Sequence, residues 1–167
     1  MASEQPGPAS FDQLVRLNAR IVFQIALSVV GNATDAEDVT QDAFLRAYLK
    51  FESLKDPQQF RTWVCRIARR VALNRVRSDT RFRKREENTY DETTTAVDVA
   101  ATAEDREFRR RLDAAMDRLP KRLREIVLLC AIDELEPASV AAILGIPAGT
   151  VRSRLHAGRK LLMRMMS

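Results

Sequence analysis

The chain has 167 residues, room for one medium domain or two small ones, and its 46% hydrophobic and 31% charged content fits a soluble globular protein rather than a disordered one. Five Gly and six Pro are too few for the many tight turns of an all-β protein, and the Ala-, Leu-, Arg- and Glu-rich stretches point to helices. Lys and Arg number 28 against 23 acids, a net charge of +5 with a pI near 9.7, and the distribution says more than the total. Ten basic residues and the single acid Asp79 lie between Arg61 and Arg85. Seven acids and no base lie between Glu86 and Asp105. From Thr150 onward the chain is basic again, with Arg152, Arg154, Arg159, Lys160 and Arg164 and no acid. Two basic blocks around an acidic spacer suggest two contacts with anionic partners and a spacer that avoids them.

The first helix is predicted to start after Ser10, whose hydroxyl caps it while Gln13 reaches back, and to stop at Gly31. Phe11, Leu14, Val15, Val22, Ile25, Ala26 and Val29 recur along it at helical spacing. A second helix is expected from a Thr34–Glu37 capping box, with Ala36, Val39, Ala43, Phe44, Ala47, Tyr48 and Phe51 as its apolar stripe. Its opposite face carries Asp35, Asp38, Gln41, Asp42, Leu45 and Arg46. Leu45 and Leu49 flanking that polar face hint at a partner surface.

Residues 52–59 read as a loop, closed by Asp56–Pro57 as a cap followed by proline at the first helical position. The third helix buries Phe60, Trp63, Val64, Ile67, Ala68 and Val71 and presents Arg61, Arg66, Arg69, Arg70, Asn74, Arg75 and Arg77 on its other side. Trp63 reads as core rather than as a base-stacking platform. From Glu86 to about Ala103 the pattern dissolves into Thr, Asp, Glu and Ala, the composition of a linker. A second domain begins near Asp105, with Phe108, Leu112, Ala115, Met116 and Leu119 in helical register. Leu119–Pro120 breaks this helix and starts another with Leu123, Ile126, Val127 and Cys130 inward, and Glu134 to Pro137 is a turn.

The stretch from Pro137 to His156 has the layout of a helix-turn-helix. Ala141 is small where two helices cross, and Gly145 supplies the positive φ of the sharp turn. Val151 packs the second helix back on the first, with Leu144, Ile146 and Leu155 between them. The helix after Gly149–Thr150 exposes Arg152, Ser153, His156, Arg159 and Lys160, of which Arg suits guanine O6 and N7 and the others phosphates or base edges. No repeat and no strand-period alternation is present, so the fold is expected to be all-α, as two small helical bundles.

Cys65 and Cys130 sit within apolar helical patterns and, with one histidine, cannot make a structural zinc site; no metal or other cofactor is expected. Met1 to Ser10 lacks the basic and apolar regions of a signal peptide, and no apolar run approaches the ~20 residues of a membrane span, so a cytoplasmic protein without membrane insertion is expected.

Four segments resemble a family. DAEDVTQDAFLRAYLKF from Asp35 to Phe51 resembles the core helix of region two of extracytoplasmic-function sigma factors, and FRTWVCRIARRVALNRVR from Phe60 to Arg77 resembles the adjoining promoter-melting helix. LPKRLREIVLL and GIPAGTVRSRL resemble region four. The resemblance implies a region two domain over residues 1–85, an acidic linker over 86–104 and a region four helix-turn-helix domain over 105–167. It implies that Asp35, Asp38, Gln41, Asp42, Leu45 and Arg46 bind the clamp helices of core RNA polymerase. By the same resemblance Arg66, Arg70, Asn74 and Arg77 contact the promoter −10 element, with a flipped base held by the Phe51–Phe60 loop and the neighbouring helix. Arg152, Ser153, His156 and Arg159 would read the −35 element in the major groove, with Thr150, Arg154 and Lys160 completing that candidate face. The acidic linker would thread the polymerase's RNA path, and a separate anti-sigma protein would regulate the chain. Many relatives carry a further Arg after the position of His156, where Ala157 and Gly158 stand here, which removes a contact and puts a helix-weakening glycine in the reading helix. The chain is expected to hold no further C-terminal regulatory domain.

Rival readings fit less well. A stand-alone helix-turn-helix regulator needs neither the acidic spacer nor a second basic helix and would usually dimerise on a palindrome. An enzyme lacks support from one histidine, no paired carboxylates in an apolar pattern and no glycine-rich phosphate loop. An RNA-binding module would interleave aromatics on a basic face, and aromatics are 6% of the chain.

Overall fold

A computed structural model describes residues 10–83, 102–131 and 135–167, with the side chains of 81–83 outside the description. The chain divides into two compact units, Met1–Asp91 and Glu92–Ser167. All regular elements among the described residues are helices, as the periodicity predicts. Most of the acidic segment, residues 86–101, lies outside the described residues.

The first unit is a three-helix bundle of α1 (Phe11–Val30), α2 (Ala33–Leu49) and α3 (Phe60–Arg83), each packed on the other two. α1 begins with the expected capping box: Gln13 N–H donates to Ser10 Oγ at 3.4 Å, and Ser10 N–H donates to Gln13 Oε1 at 3.0 Å. It ends at Gly31, whose φ of 85° only glycine adopts cheaply, and Gly31 N–H donates to Leu27 O at 2.9 Å. Contrary to the expectation that no segment reaches membrane-spanning length, α1 is long and apolar enough by composition. Its apolar stripe (Leu14, Ile21, Val22, Ile25 and Ala26) is instead buried against α2 and α3, the signature of a core helix.

α2 starts two residues earlier than the Thr34–Glu37 box predicts. Asn32 is its cap, and its Oδ1 accepts the Asp35 N–H at 2.9 Å. Asparagine caps better than threonine, and Thr34 falls inside the first turn. Ala36, Ala43 and Ala47 are fully buried and let α2 lie close to its neighbours, with Val39 between them. Tyr48 departs from its expected core role: it is 63% exposed, with an edge-to-face contact to the half-buried Phe11. Between α2 and α3 run two single 3-10 turns, the second capped by Asp56, whose Oδ1 accepts the Gln58 N–H, with Pro57 at its first position.

The second unit comprises α4 (Ala103–Arg118), α5 (Lys121–Ala131), α6 (Pro137–Leu144) and α7 (Ala148–Met166). α4 begins two residues before the expected boundary at Asp105 because Thr102 caps it in a reciprocal box with Asp105. These hydrogen bonds from Thr102 hold the Asp105 carboxyl below its ordinary pKa. Phe108, expected in the core, is 57% exposed, while Leu129, Leu135 and Ile143 join Ile126, Val127, Val140 and Val151 as buried residues. α7 packs on α4, α5 and α6.

Candidate nucleic-acid and partner interfaces

The six residues expected to form one polar face of α2 divide between two tasks. Asp38, Gln41 and Leu45 stand exposed along one side, Leu45 at 59%. Leu49, at 74%, prolongs that side into an apolar patch. Asp35 instead turns inward. Its carboxylate accepts Arg75 Nη2 at 2.6 Å and Asn32 Nδ2 at 2.8 Å, and the same Arg75 nitrogen reaches Asp38 at 3.4 Å. Arg75 thereby ties the first turn of α2 to the far half of α3, and this pairing across forty positions has no local sequence signal. Asp42 accepts from Arg46 Nε at 3.0 Å, the (i, i+4) pairing that helical spacing allows.

Arg66, Arg70, Asn74 and Arg77 are all exposed, and their spacing along α3 sets them on one face. Arg66 and Arg70 of that face line an open cleft of about 350 Å³ together with Trp63 and Ile67 of α3 and Arg46 and Lys50 at the end of α2, while Asn74 and Arg77 lie outside its lining. Trp63 therefore has two roles: it packs on Phe60 with centroids 6.0 Å apart, and it lines the cleft. The reading of Trp63 as core alone is corrected on this point, since the indole is half-buried. The cleft walls come from α2 and α3 rather than from the loop over 52–59. Lys50 is absent from the sequence-based expectations, because its position as the residue that closes α2 falls outside the helix's periodic pattern. Edge-to-face contacts from Phe11 to Phe51 and Phe60, at 5.2 and 5.9 Å, pin the end of α2 to the start of α3 beneath this cleft. Cys65 faces the opposite way, into the core, where burial pushes its thiol up to about 12 against a weaker pull from Arg61. It is a neutral packing group.

In the second unit the helix-turn-helix forms as its sequence predicts. Gly145 has φ 68° and donates to Ala141 O at 2.8 Å, and Val151 is fully buried. Leu144, Ile146 and Leu155 are only half-buried, with Val140 and Ile143 filling the centre instead. α7 begins at Ala148 rather than after Thr150, because Pro147 precedes it as the cap residue and its carbonyl accepts the Thr150 and Val151 N–H groups. Arg152, His156, Arg159 and Lys160 share one exposed face, with Ser153 at its edge, where its hydroxyl donates to Thr150 O at 3.1 Å. Thr150 and Arg154 are half-buried on another side of the helix. Arg124, which no sequence pattern singles out, braces this unit by donating to the Asp117 and Leu119 carbonyls at the α4–α5 turn. Cys130 is half-buried and burial raises its thiol pKa, opposed by Arg159.

Residues 14–82 match the Sigma-70 region 2 family, and residues 109–162 match the Sigma-70 region 4 family. The chain is 35% identical over 161 residues to the ECF RNA polymerase sigma factor SigE of Mycolicibacterium smegmatis, covering 95% of this chain and 62% of that protein's length. It is 30% identical over 168 residues to the ECF RNA polymerase sigma factor SigW of Bacillus subtilis, covering 92% of this chain and 87% of that one. Among solved structures, the sigma factor RpoE from Bartonella quintana, crystallised with the anti-sigma factor NepR, shares the fold at a TM-score of 0.78 and 22% identity over 93% of this chain and 96% of RpoE. CnrH in complex with the cytosolic domain of CnrY gives a TM-score of 0.64 at 27% identity, over 93% and 86% of the two chains. With both bundles matched in chain order, the protein belongs to the extracytoplasmic-function (ECF) family of RNA polymerase sigma factors.

Proposed function

We propose that this chain binds core RNA polymerase in the cytoplasm and directs it to promoters, as a non-catalytic initiation factor. The observation that carries this reading is a pair of exposed basic surfaces on separate units: a recess with an indole wall on α3, and a helix face of Arg152, His156, Arg159 and Lys160 on α7. The unit over 1–85 docks on polymerase through Asp38, Gln41, Asp42 and Leu45 of α2, while Asp35 supports that face from within. Arg66, Arg70, Asn74 and Arg77 follow the −10 strand. The cleft beside them suits one unstacked nucleotide: Trp63 offers a stacking surface and four cations offset phosphate charge. The unit over 105–167 reads the −35 element with Arg152, Ser153, His156 and Arg159, and Lys160 supplies a phosphate contact. Residues 86–104 join the two. The complex of the related RpoE with an anti-sigma factor supports regulation of this chain by a partner of that kind.

The test is in-vitro transcription over genomic fragments with bacterial core polymerase, with and without the chain. New start sites appear only when the chain is present, and they vanish in the Asp38→Lys/Asp42→Lys variant. Specific duplex binding by the chain alone, with no new initiation on cognate core enzyme, would replace this reading with that of a stand-alone regulator.

A further inference from the structure

Gly158 is buried in the middle of α7, where a glycine weakens a helix by about 1 kcal/mol relative to alanine. A glycine kept against that preference has a packing reason, and here it is visible. A Cβ at position 158 would stand 2.6 Å from Val127 Cγ2 of α5, 3.6 Å from Leu123 Cβ and 3.7 Å from Leu123 O. The first distance is roughly 1 Å inside ordinary carbon–carbon contact. Val127 is buried, and as a β-branched residue in a helix it has essentially one χ1 rotamer, so it has no cheap way to yield. The backbone of α7 therefore approaches α5 as closely as it does because no side chain intervenes.

From this contact we infer that Gly158 is a positioning residue, fitted against Val127, that sets the tilt of α7 for reading the −35 sequence. The inference rests on the proposal that α7 enters promoter DNA. The start of α7 is held separately, by the Gly145 turn and by the buried Val151. A displacement at position 158 therefore tilts the helix about that anchor rather than sliding it whole. His156 and Arg159, on the exposed face, flank Gly158 by two positions and one, so the tilt reaches them directly. Bidentate recognition of a base edge depends on geometry that a shift of this size disturbs. The glycine that helix propensity marks as a weakness in the reading helix is what places that helix.

The experiment uses holoenzyme reconstituted from the full chain and bacterial core polymerase, with templates randomised across the −35 element. Initiation is counted for the wild type, Gly158→Ala, Val127→Ala and the double variant. Gly158→Ala loses about tenfold in −35 discrimination, while its affinity for core polymerase and its −10 preference stay at wild-type values. Val127→Ala alone stays near wild type. The double variant carries the same new Cβ with no Cγ2 opposing it, and it recovers discrimination to within about threefold of wild type. An unchanged −35 preference in Gly158→Ala, or a double variant no better than the single, overturns the inference. Should Gly158→Ala fail to fold, the double variant decides by itself: it must fold and read the wild-type element. A wild-type chain that gives no −35-dependent initiation would overturn the parent proposal and this inference with it.

Discussion

The two units carry the same sign of charge on surfaces of different lining: one has an aromatic wall and the other does not. In the first, α3 is 24 residues long and is supported by both α1 and α2 over a core in which Val22, Ile25, Val39, Phe60 and Val64 are at most 1% exposed. The basic face of α3 and the end of α2 line a recess, with Trp63 in its wall. In the second unit, α7 lies over the shorter helices α5 and α6, and its basic residues share one exposed face, where His156, Arg159 and Lys160 border an open hollow of about 520 Å³ with no indole or phenyl ring in its lining. A basic face on a single exposed helix suits a duplex major groove about 12 Å across. A recess with an aromatic wall suits a base that has left its stack. Positive charge alone says little about which form of nucleic acid a surface takes. The packing beneath the charge decides it.

The largest expected effect that breaks the comparison is loss of the support under the recess. Phe60→Ala removes a side chain that is 1% exposed and in contact with Phe11, Phe51 and Trp63, and should destabilise the first unit by about 3–5 kcal/mol in denaturant unfolding. A loss below about 1 kcal/mol would mean that the aromatic chain does not hold the recess in shape. A functional pair sharpens the comparison. Trp63→Ala should slow strand opening, read by permanganate reactivity of unpaired thymines, by an amount equivalent to about 1–3 kcal/mol of lost base stacking. Arg152→Ala should relax −35 preference by about 1–3 kcal/mol and leave opening on a consensus template intact. If both variants fail at the same step, the two basic surfaces do not have separate roles. The smallest effect is expected at Arg75. With its side chain 40% exposed and its partners Asp35 and Asp38 at 27% and 56%, Arg75→Met should cost no more than about 1 kcal/mol, and less at high salt. A larger cost would show that the tie between α2 and α3 is better shielded from water than its exposure indicates.

Much of this architecture is written in short-range pattern. The Ser10–Gln13 box, the Gly31 stop, the Asp56–Pro57 start and the Gly145 turn each depend on residues within one helical turn of one another, and all stand where their spacing places them. Errors of two residues at the start of α2 and three at the start of α7 arise where an earlier residue takes the cap position: Asn32 prevails over Thr34, and Pro147 precedes Thr150. Phe108 and Tyr48 satisfy helical register yet lie outside the cores, because periodicity identifies the apolar side of a helix but not how far along that side the neighbour extends.

The sequence by itself determined the helices, their caps and the separation of charge into two basic blocks, since hydrogen bonds and side-chain spacing within a helix involve residues only three or four apart. Tertiary structure alone decided which charged groups meet. It turned Asp35 toward Arg75, brought Arg46 and Lys50 to the rim opposite Arg66 and Arg70, exposed part of Trp63 to that cleft, and set Gly158 against Val127. Each of these pairings joins residues of different segments, separated by between 13 and 40 positions in the chain, whose distance is defined only once the apolar faces have packed. Helical pattern tells each helix which side to bury, and the fit between the buried sides then fixes what the exposed sides can hold.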